Sequence, residues 1–443
     1  MIARPVLPSS DVHEAAERFL SEVGDWAAAC IDTYQDESPT NGHDQLTYTT
    51  GWEPWIARTQ DAATLAFLKN ARDQVAAHFV QNGMWRHGYW KNQEAHHGTE
   101  HFELFMGFLY RLDPQDERTK AQFLDAAEHI GNWCPEIPSW FDEQTGLFHS
   151  FYLGTEHVGD TPDEPNVPAH MRYVNLCLIA GQMSKKERYQ RFAERYMHRW
   201  AEAITASEDI PRGLLPSGPV YALVDSLRQR YGGAVGQVRL DSNLDTAEAL
   251  LASDGIGTLL KMWQHTSDDL FLTAAERLLD IIVTQVADPD AGVGSDAIRQ
   301  YRKATGNTQY DPAILCAVQS FPEKGIDELA IEPVVERERK PTGIGKRSDM
   351  PSWFEDGQPR RFSPITLALA SEIKQDATLA TWALDLGRTY LSLARDVYPD
   401  GRDHGCSARS VSAIARGHGR DNNAGMTTAV LAPLLNAWAK KDR

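Results

Sequence analysis

The pattern of apolar and polar positions repeats a single helical phrase five times along the chain. An aromatic residue or leucine is followed four residues later by alanine and, in four of the five copies, three residues further by a bulky residue. This spacing places the three side chains on one face of a helix. Because a supersecondary unit that recurs at intervals is typical of repeat folds, the pattern predicts a repeat architecture. The five copies are Phe67/Ala71, Phe123/Ala127/Ile130, Tyr189/Ala193/Tyr196, Phe271/Ala275/Leu278 and Leu379/Ala383/Leu386.

The periodicity predicts a chain built almost wholly of helices, with few strands. The clearest strand signal is the alternating segment 146–152, which predicts a hairpin. The predicted helices cover 11–34, 58–80, 97–112, 117–133, 169–183, 186–206, 243–263, 267–287, 311–320, 363–373, 376–396 and 423–439.

These helices are of two kinds. Those that carry the repeated phrase have a charged face, whereas others, such as 101–110 and 171–181, are apolar nearly all round and should be buried on every side. The two kinds are joined by short links in one direction and by long loops rich in Trp and Gly in the other, such as 81–96, 134–168 and 288–310. We therefore expect an inner and an outer layer of helices, with the long loops at the N-terminal ends of the inner helices. Loops of this length usually carry function.

The alternation of buried and half-exposed helices from about 11 to 439 resembles the α/α toroid, or (α/α)-barrel. The resemblance implies an all-α single domain over 1–443, with six or seven helix pairs. It also implies a ligand site at the N-terminal ends of the inner helices. Toroids of this class are often carbohydrate-active enzymes, including glycoside hydrolases, uronyl hydrolases and polysaccharide lyases. The chain looks most like the uronate-acting lyases, although fold alone does not fix function.

Charge and cysteine content narrow the classes of partner. The 443 residues carry a net charge of -18, which argues against a general binder of nucleic acid or of anionic membranes. Five scattered cysteines form no CxxC pair, and the N-terminus has no apolar signal region. We expect a cytoplasmic protein, or a secreted or periplasmic one had a signal been removed. The oligomeric state is open.

Histidine, tyrosine and glutamate concentrate where the buried helices begin. His97 and His101 lie four residues apart, which fits a general base or a zinc pair, but no HExxH is present and we expect no metal and no cofactor. The alternative role for such residues is helix capping or core packing. The candidate catalytic residues are His97, Glu100, His101, His170, Tyr173 and Tyr310.

The same loops offer cations and aromatic rings that suit an acidic sugar, since arginine grips carboxylates and aromatic faces stack on pyranose rings. The alternative is that these arginines pair with acids of their own loops. The candidate substrate-binding residues are Trp85, Arg86, Trp90, Arg172, Arg299, Tyr301, Arg361, His418, Arg420 and Asn423.

Three functions fit these residues. The first is β-elimination from a uronic-acid-containing polysaccharide or oligosaccharide, for which toroid lyases often use tyrosine as acid or base, with histidine, asparagine or arginine around the carboxylate. The second is hydrolysis by a carboxylate pair such as Glu100 and Asp254, since Asp254 is predicted in mid-helix in an apolar segment. The third is a toroid that binds a glycan or protein partner without catalysis. We find no phosphate loop and no GxSxG elbow.

Overall fold

A computed structural model describes residues 12–40, 42, 45–159, 164–222, 240, 242–286, 294–319 and 364–397. It is mostly helical, as predicted. The helices are α1 (Val12–Tyr34), α2 (Glu53–Thr59), α3 (Ala62–Gln81), α4 (Ala95–Glu100), α5 (Gly107–Leu112), α6 (Glu117–Ile130), α7 (Met171–Ser184), α8 (Glu187–Thr205), α9 (Asn243–Ala252), α10 (Gly255–Thr266), α11 (Asp269–Val286), α12 (Ser295–Thr305), α13 (Asp311–Ala317), α14 (Pro364–Lys374) and α15 (Ala377–Val397). None of these helices is both long and apolar enough to cross a bilayer.

Within the described residues, three short antiparallel hairpins lie in predicted long loops. They are β1–β2 (Trp85–Arg86 and Tyr89–Trp90), β3–β4 (Phe141–Asp142 and Leu147–Phe148) and β5–β6 (Gly213–Leu215 and Gly218–Val220). The segment 146–152 therefore contributes its first residues to a hairpin, as the alternation predicted. In β1–β2 both loop residues have positive φ, 55° at His87 and 82° at Gly88, as a two-residue primed turn requires.

The chain divides into two compact units. One comprises 1–36, 48–64 and 282–443, and the other comprises 37–47 and 65–281. We call the second the central unit. The predictions of a single domain and of closure into a toroid stay predictions.

In the central unit, the first half of α7 is buried on all sides, as the sequence predicted, whereas its C-terminal half is partly exposed. Its residues from Met171 to Cys177 are all buried, and it packs against α6 and the amphipathic α8. Pro168 stands in a short 3-10 turn (Pro168–His170) that leads into α7, where a missing N–H costs nothing. Helix α6 begins behind Asp116, whose carboxylate accepts a bond from the Thr119 N–H at 3.0 Å.

The run from Ala95 to Leu112 is helical throughout but changes type in the middle. A π-helical segment, His101–Met106, joins α4 to α5, and all six of its residues are buried. Such π segments occur frequently at functional sites. Here the segment carries His101 and Glu103 directly after the last turn of α4.

In the other unit, the apolar helix α14 packs against α15 and α13, and α15 also packs against α1. Residues Pro364 to Ser371 of α14 are all buried, as predicted for a helix without a polar face. The predicted helix over 423–439 lies outside the described residues.

Two predictions about helices were wrong. The segment 288–310, predicted as a loop, contains the amphipathic helix α12, which buries Ala297, Ile298 and Tyr301. The predicted helix 243–263 is broken between α9 and α10, because Asp254 takes a left-handed conformation with φ of 53°. Its carboxylate accepts a bond from Lys261 Nζ at 2.8 Å, and its side chain is 32% exposed. Asp254 is therefore not the costly buried acid that its apolar surroundings in sequence suggested.

Candidate functional site

The start of α4 brings an imidazole and a carboxylate together. Glu94 caps α4 in an extended conformation, and the Ala95 N–H donates to the Phe151 carbonyl at 2.9 Å, which fixes the entry of the chain. His97 Nδ1 lies 2.5 Å from Glu94 Oε1. The His97 side chain is 30% exposed, whereas that of Glu94 is 6% exposed. A carboxylate at one ring nitrogen orients an imidazole and stabilises its charged form, which is what a general base needs.

The hydroxyl group of Tyr173 lies beside Gly98, the residue that follows His97 in α4. Position 98 is a glycine, and a β-carbon there would stand 3.1 Å from the Tyr173 hydroxyl oxygen and 3.4 Å from Gln93 Cγ. The ring of Tyr173 packs against Trp140 and Phe148, with centroids 5.6 Å and 5.3 Å away. Among the described residues, the hydroxyl group has no hydrogen-bond partner.

Burial sets the protonation state of Tyr173. It raises the pKa of the hydroxyl group far above its usual value, and the negative charge of Glu94 adds to the rise while Arg172 opposes it. The phenol therefore stays protonated at neutral pH and gives up its proton only to a strong base. Tyr173 is thus a protonated phenol with 0% exposure that lies beside Gly98, one residue after His97.

A buried polar network lies behind this group. Arg172 Nε donates to Glu103 Oε2 at 2.5 Å, and Arg172 Nη1 lies 4.0 Å from Glu100 Oε1. Asn175 Nδ2 donates to Glu103 Oε1 at 2.9 Å, and Thr258 Oγ1 donates to Asn175 Oδ1 at 2.7 Å. Buried charges are costly unless they are paired, so the guanidinium of Arg172 stabilises the buried glutamates beside it.

The other two candidate histidines lie in the core. His101 is 3% exposed and packs against Trp85 at 5.0 Å, and burial lowers the pKa of His101 to about 3. His170 has backbone partners at both ring nitrogens: its Nδ1 accepts from the Val167 N–H at 3.0 Å, and its Nε2 lies 3.0 Å from the Ser150 carbonyl. A histidine held in this way orders the backbone, which was the alternative role considered for it.

The aromatic candidates differ in exposure. Trp85 is 6% exposed and stacks on Phe79 at 4.4 Å, so it belongs to the core. Trp90 is half-buried and meets Trp85 edge to face at 5.0 Å, so part of its ring faces outwards. Of the two tryptophans, Trp90 is the more exposed.

The remaining described candidates lie in the other unit. Tyr310 is 5% exposed, caps α13 and contacts the Tyr301 ring at 5.3 Å. The Tyr301 hydroxyl oxygen accepts a bond from Asn307 Nδ2 at 2.9 Å, and Arg299 pairs with Asp296 at 3.0 Å. Arg361, His418, Arg420 and Asn423 lie outside the described residues.

Cations of the predicted mouth have acidic neighbours. Arg86 pairs with Glu136 at 3.2 Å and Lys91 with Glu156 at 3.0 Å, and Arg302 contacts Asp311. Of the candidate arginines, Arg86, Arg172 and Arg299 thus pair with acidic side chains, although Glu136 and Glu103 belong to other segments than Arg86 and Arg172. Less positive charge is left for an acidic ligand than the sequence suggested.

Sequence reasoning missed Glu94, Gly98 and Glu103. Glu94 stands three residues before His97, and Glu103 three residues after Glu100, so both share a helix face with a residue that was chosen. That spacing was the available signal. The closeness of Gly98 to Tyr173 joins two distant segments and leaves no mark in the sequence.

Comparison with protein families, with curated proteins and with solved structures found no match for this chain.

Proposed function

We propose that this protein is an enzyme that cleaves a uronic-acid-containing polysaccharide or oligosaccharide by β-elimination. The observation that carries the proposal is that the protonated hydroxyl group of Tyr173 lies beside Gly98, the residue that follows the histidine of the Glu94–His97 pair. Elimination needs a base for the proton α to the carboxylate and an acid for the leaving oxygen. An imidazole and a phenol are residue types suited to those two roles.

In the proposed reaction, His97 takes the α-proton, and Glu94 stabilises the imidazolium that forms. The electrons of the broken C–H bond form a carbon–carbon double bond as the glycosidic C–O bond breaks. Tyr173 donates its proton to the leaving oxygen. Burial keeps that proton in place until the leaving oxygen becomes basic. The half-buried face of Trp90 is the proposed stacking surface for a sugar ring.

The substrate carboxylate must also be stabilised while the α-proton leaves. The helical run from Ala95 to Leu112 has its N-terminal end at His97, and its dipole favours negative charge there. Arg172 lies one residue from Tyr173 and adds positive charge, partly offset by Glu100 and Glu103. In the proposed toroid, this helix end would face the common mouth of the inner helices.

Hydrolysis by a carboxylate pair is the second candidate. Three buried glutamates, Glu94, Glu100 and Glu103, lie within ten residues of one another. The acidic partners of the named cations favour this candidate, because a paired arginine attracts a uronate less strongly. A glycoside hydrolase needs two carboxyl groups about 5–10 Å apart across the glycosidic bond.

A panel of polyuronates, incubated with the full chain, separates the candidates. Elimination produces an unsaturated uronic acid with a new ultraviolet absorbance, whereas hydrolysis produces reducing ends without it. Binding without either product would identify a glycan-binding protein. The absence of both binding and products across the whole panel would overturn the proposal.

A double-mutant cycle tests the assigned base. We expect Glu94→Gln and His97→Gln each to lower kcat by about 10²–10⁴-fold, and the double variant to lose no more than His97→Gln alone. Residues that act as one unit are non-additive in this way. His198→Gln is the matched control, since His198 Nδ1 lies 3.5 Å from Glu202 Oε1 on the surface of α8. Full activity in His97→Gln would refute the assignment.

A further inference from the structure

A second group of histidine and carboxylate side chains lies where the β1–β2 hairpin meets α6, and the proposed reaction does not use it. His87, Asp125 and His129 each place one ligand atom within 4.8 Å of the other two. His87 Nδ1 lies 3.1 Å from Asp125 Oδ1, and His129 Nε2 lies 3.9 Å from the same oxygen. The two imidazole rings are 4.2 Å apart.

The geometry points to a binding site for a divalent first-row metal ion such as Zn²⁺, ligated by His87 Nδ1, His129 Nε2 and the Asp125 carboxylate. Zinc binds imidazole nitrogen and carboxylate oxygen at about 2.0–2.2 Å, so neighbouring ligand atoms of a tetrahedral site lie about 3.4 Å apart. The distances from the Asp125 oxygen, 3.1 Å and 3.9 Å, lie on either side of this value. This inference departs from the sequence expectation of no metal.

The state of His129 is the independent observation. Its side chain is 1% exposed, yet neither ring nitrogen has a hydrogen-bond partner in the part of the chain that the structure describes. A buried imidazole without hydrogen bonds costs free energy. A metal ion at Nε2 would satisfy one nitrogen and supply a reason for burying it next to Asp125.

The other ring nitrogen of His87 also fits a ligand role. His87 Nε2 lies 3.4 Å from Glu136 Oε2. Metal-bound histidines usually donate their second N–H to a carboxylate, which fixes the tautomer and the ring orientation. Glu136 also contacts Arg86 at 3.2 Å, so it is held in place from two sides.

Access and ligand count indicate the kind of site. The side chains of His87 and Asp125 are 22% and 52% exposed, so an ion can reach them from solvent. Three protein ligands leave a fourth position of a tetrahedron for water or another ligand. The ion would tie the hairpin that carries Trp85 and Trp90 to α6.

Zinc titration of chelator-treated full-length protein tests the site. We expect one Zn²⁺ to bind per chain by calorimetry, and the midpoint of thermal unfolding to rise with zinc concentration, since binding to the folded state stabilises it. Co²⁺ should give visible d–d absorption without a thiolate charge-transfer band, which excludes the cysteines as ligands.

Conservative variants localise the ion. His87→Asn keeps a residue that tolerates the positive φ of 55°, and Asp125→Asn keeps the shape of the side chain. Each should weaken zinc binding by at least about tenfold. Even the loss of a residue that only hydrogen-bonds to a metal ligand typically costs about that much affinity. His198→Asn is the control and should bind as the parent does, because His198 has acidic neighbours but no second imidazole. No zinc binding by the parent, or undiminished binding in both variants, would overturn the proposal. Neither readout depends on lyase activity.

Discussion

The hydroxyl group of Tyr173 lies against the backbone of Gly98, so close that a β-carbon at position 98 would stand 3.1 Å from the oxygen. Tyr173 is on α7 and Gly98 is on the first turns of α4. Because glycine has no side chain, both the hydroxyl group and the Gln93 side chain can lie this close to the helix backbone. The proposed site thus requires a residue without a β-carbon at position 98.

Replacing Gly98 with alanine should reduce turnover without unfolding the protein. Alanine is favoured over glycine in a helix by about 0.5–1 kcal/mol, but the new methyl group must displace the Tyr173 hydroxyl by a few tenths of an ångström. These effects oppose each other, so we expect the free energy of unfolding to change little. Denaturant unfolding and product formation on the substrate found in the panel measure the two effects.

Gly181→Ala is the matched control for this change. Gly181 also lies in a helix, α7, and the nearest atom to its added β-carbon would be Tyr189 Cβ at an ordinary 3.5 Å. It should gain stability and keep full turnover. Equal turnover in both alanine variants would show that the close approach of the Tyr173 hydroxyl group to Gly98 is not needed for turnover.

Removing the Tyr173 hydroxyl group tests its role as the acid. Tyr173→Phe should lower kcat by about 10²–10⁴-fold, the usual contribution of a positioned acid. Stability should hold or rise slightly, because the buried hydroxyl group has no hydrogen-bond partner within the described chain segments. Tyr196→Phe removes an equally buried hydroxyl group and should leave kcat unchanged. A Tyr173→Phe enzyme as fast as the parent would remove Tyr173 from the mechanism.

The sequence was sufficient to predict helices because periodicity reports burial directly. Helices α7 and α14 have no polar face, and the first half of α7 and most of α14 are buried as expected. The break at Asp254 was not predicted, because a hydrophobic pattern does not record that a single residue takes a left-handed backbone conformation. Helix α12 was missed because eleven residues with four charges are as polar as a loop.

The candidate site was predicted only in part. His97 and Tyr173 were chosen because they stand at the starts of buried helices, and the structure places Tyr173 beside the first turns of α4. Their neighbours from distant segments could not be chosen. The same limit explains His87, which the sequence leaves far from Asp125 and His129 and the fold places beside them.

The ion pair of Arg172 and Glu103 should be important for stability. Both side chains are buried, at 3% and 6% exposure, so Arg172→Met removes the guanidinium that pairs with the buried Glu103 carboxylate. We expect a loss of about 3–5 kcal/mol in the free energy of unfolding, measured with urea. Arg172→Met/Glu103→Gln should recover part of that loss. Arg191→Met, which breaks an exposed pair with Glu187, should cost less than about 1 kcal/mol.

His101 should make the protein sensitive to acid. Burial lowers the pKa of His101 from 6.5 to about 3 in the folded state, while the unfolded chain keeps the ordinary value. Below about pH 6.5 the unfolded state therefore binds a proton that the folded state refuses, and stability falls as the pH falls towards 3. The shift corresponds to a loss on the order of 5 kcal/mol across that window. His101→Phe suits the neighbouring Trp85, Phe102 and Phe105 rings and should flatten the fall between pH 6.5 and pH 4, measured by urea unfolding. The exposed His13→Gln should follow the parent, and a parallel pH dependence in His101→Phe would show that other groups cause the loss.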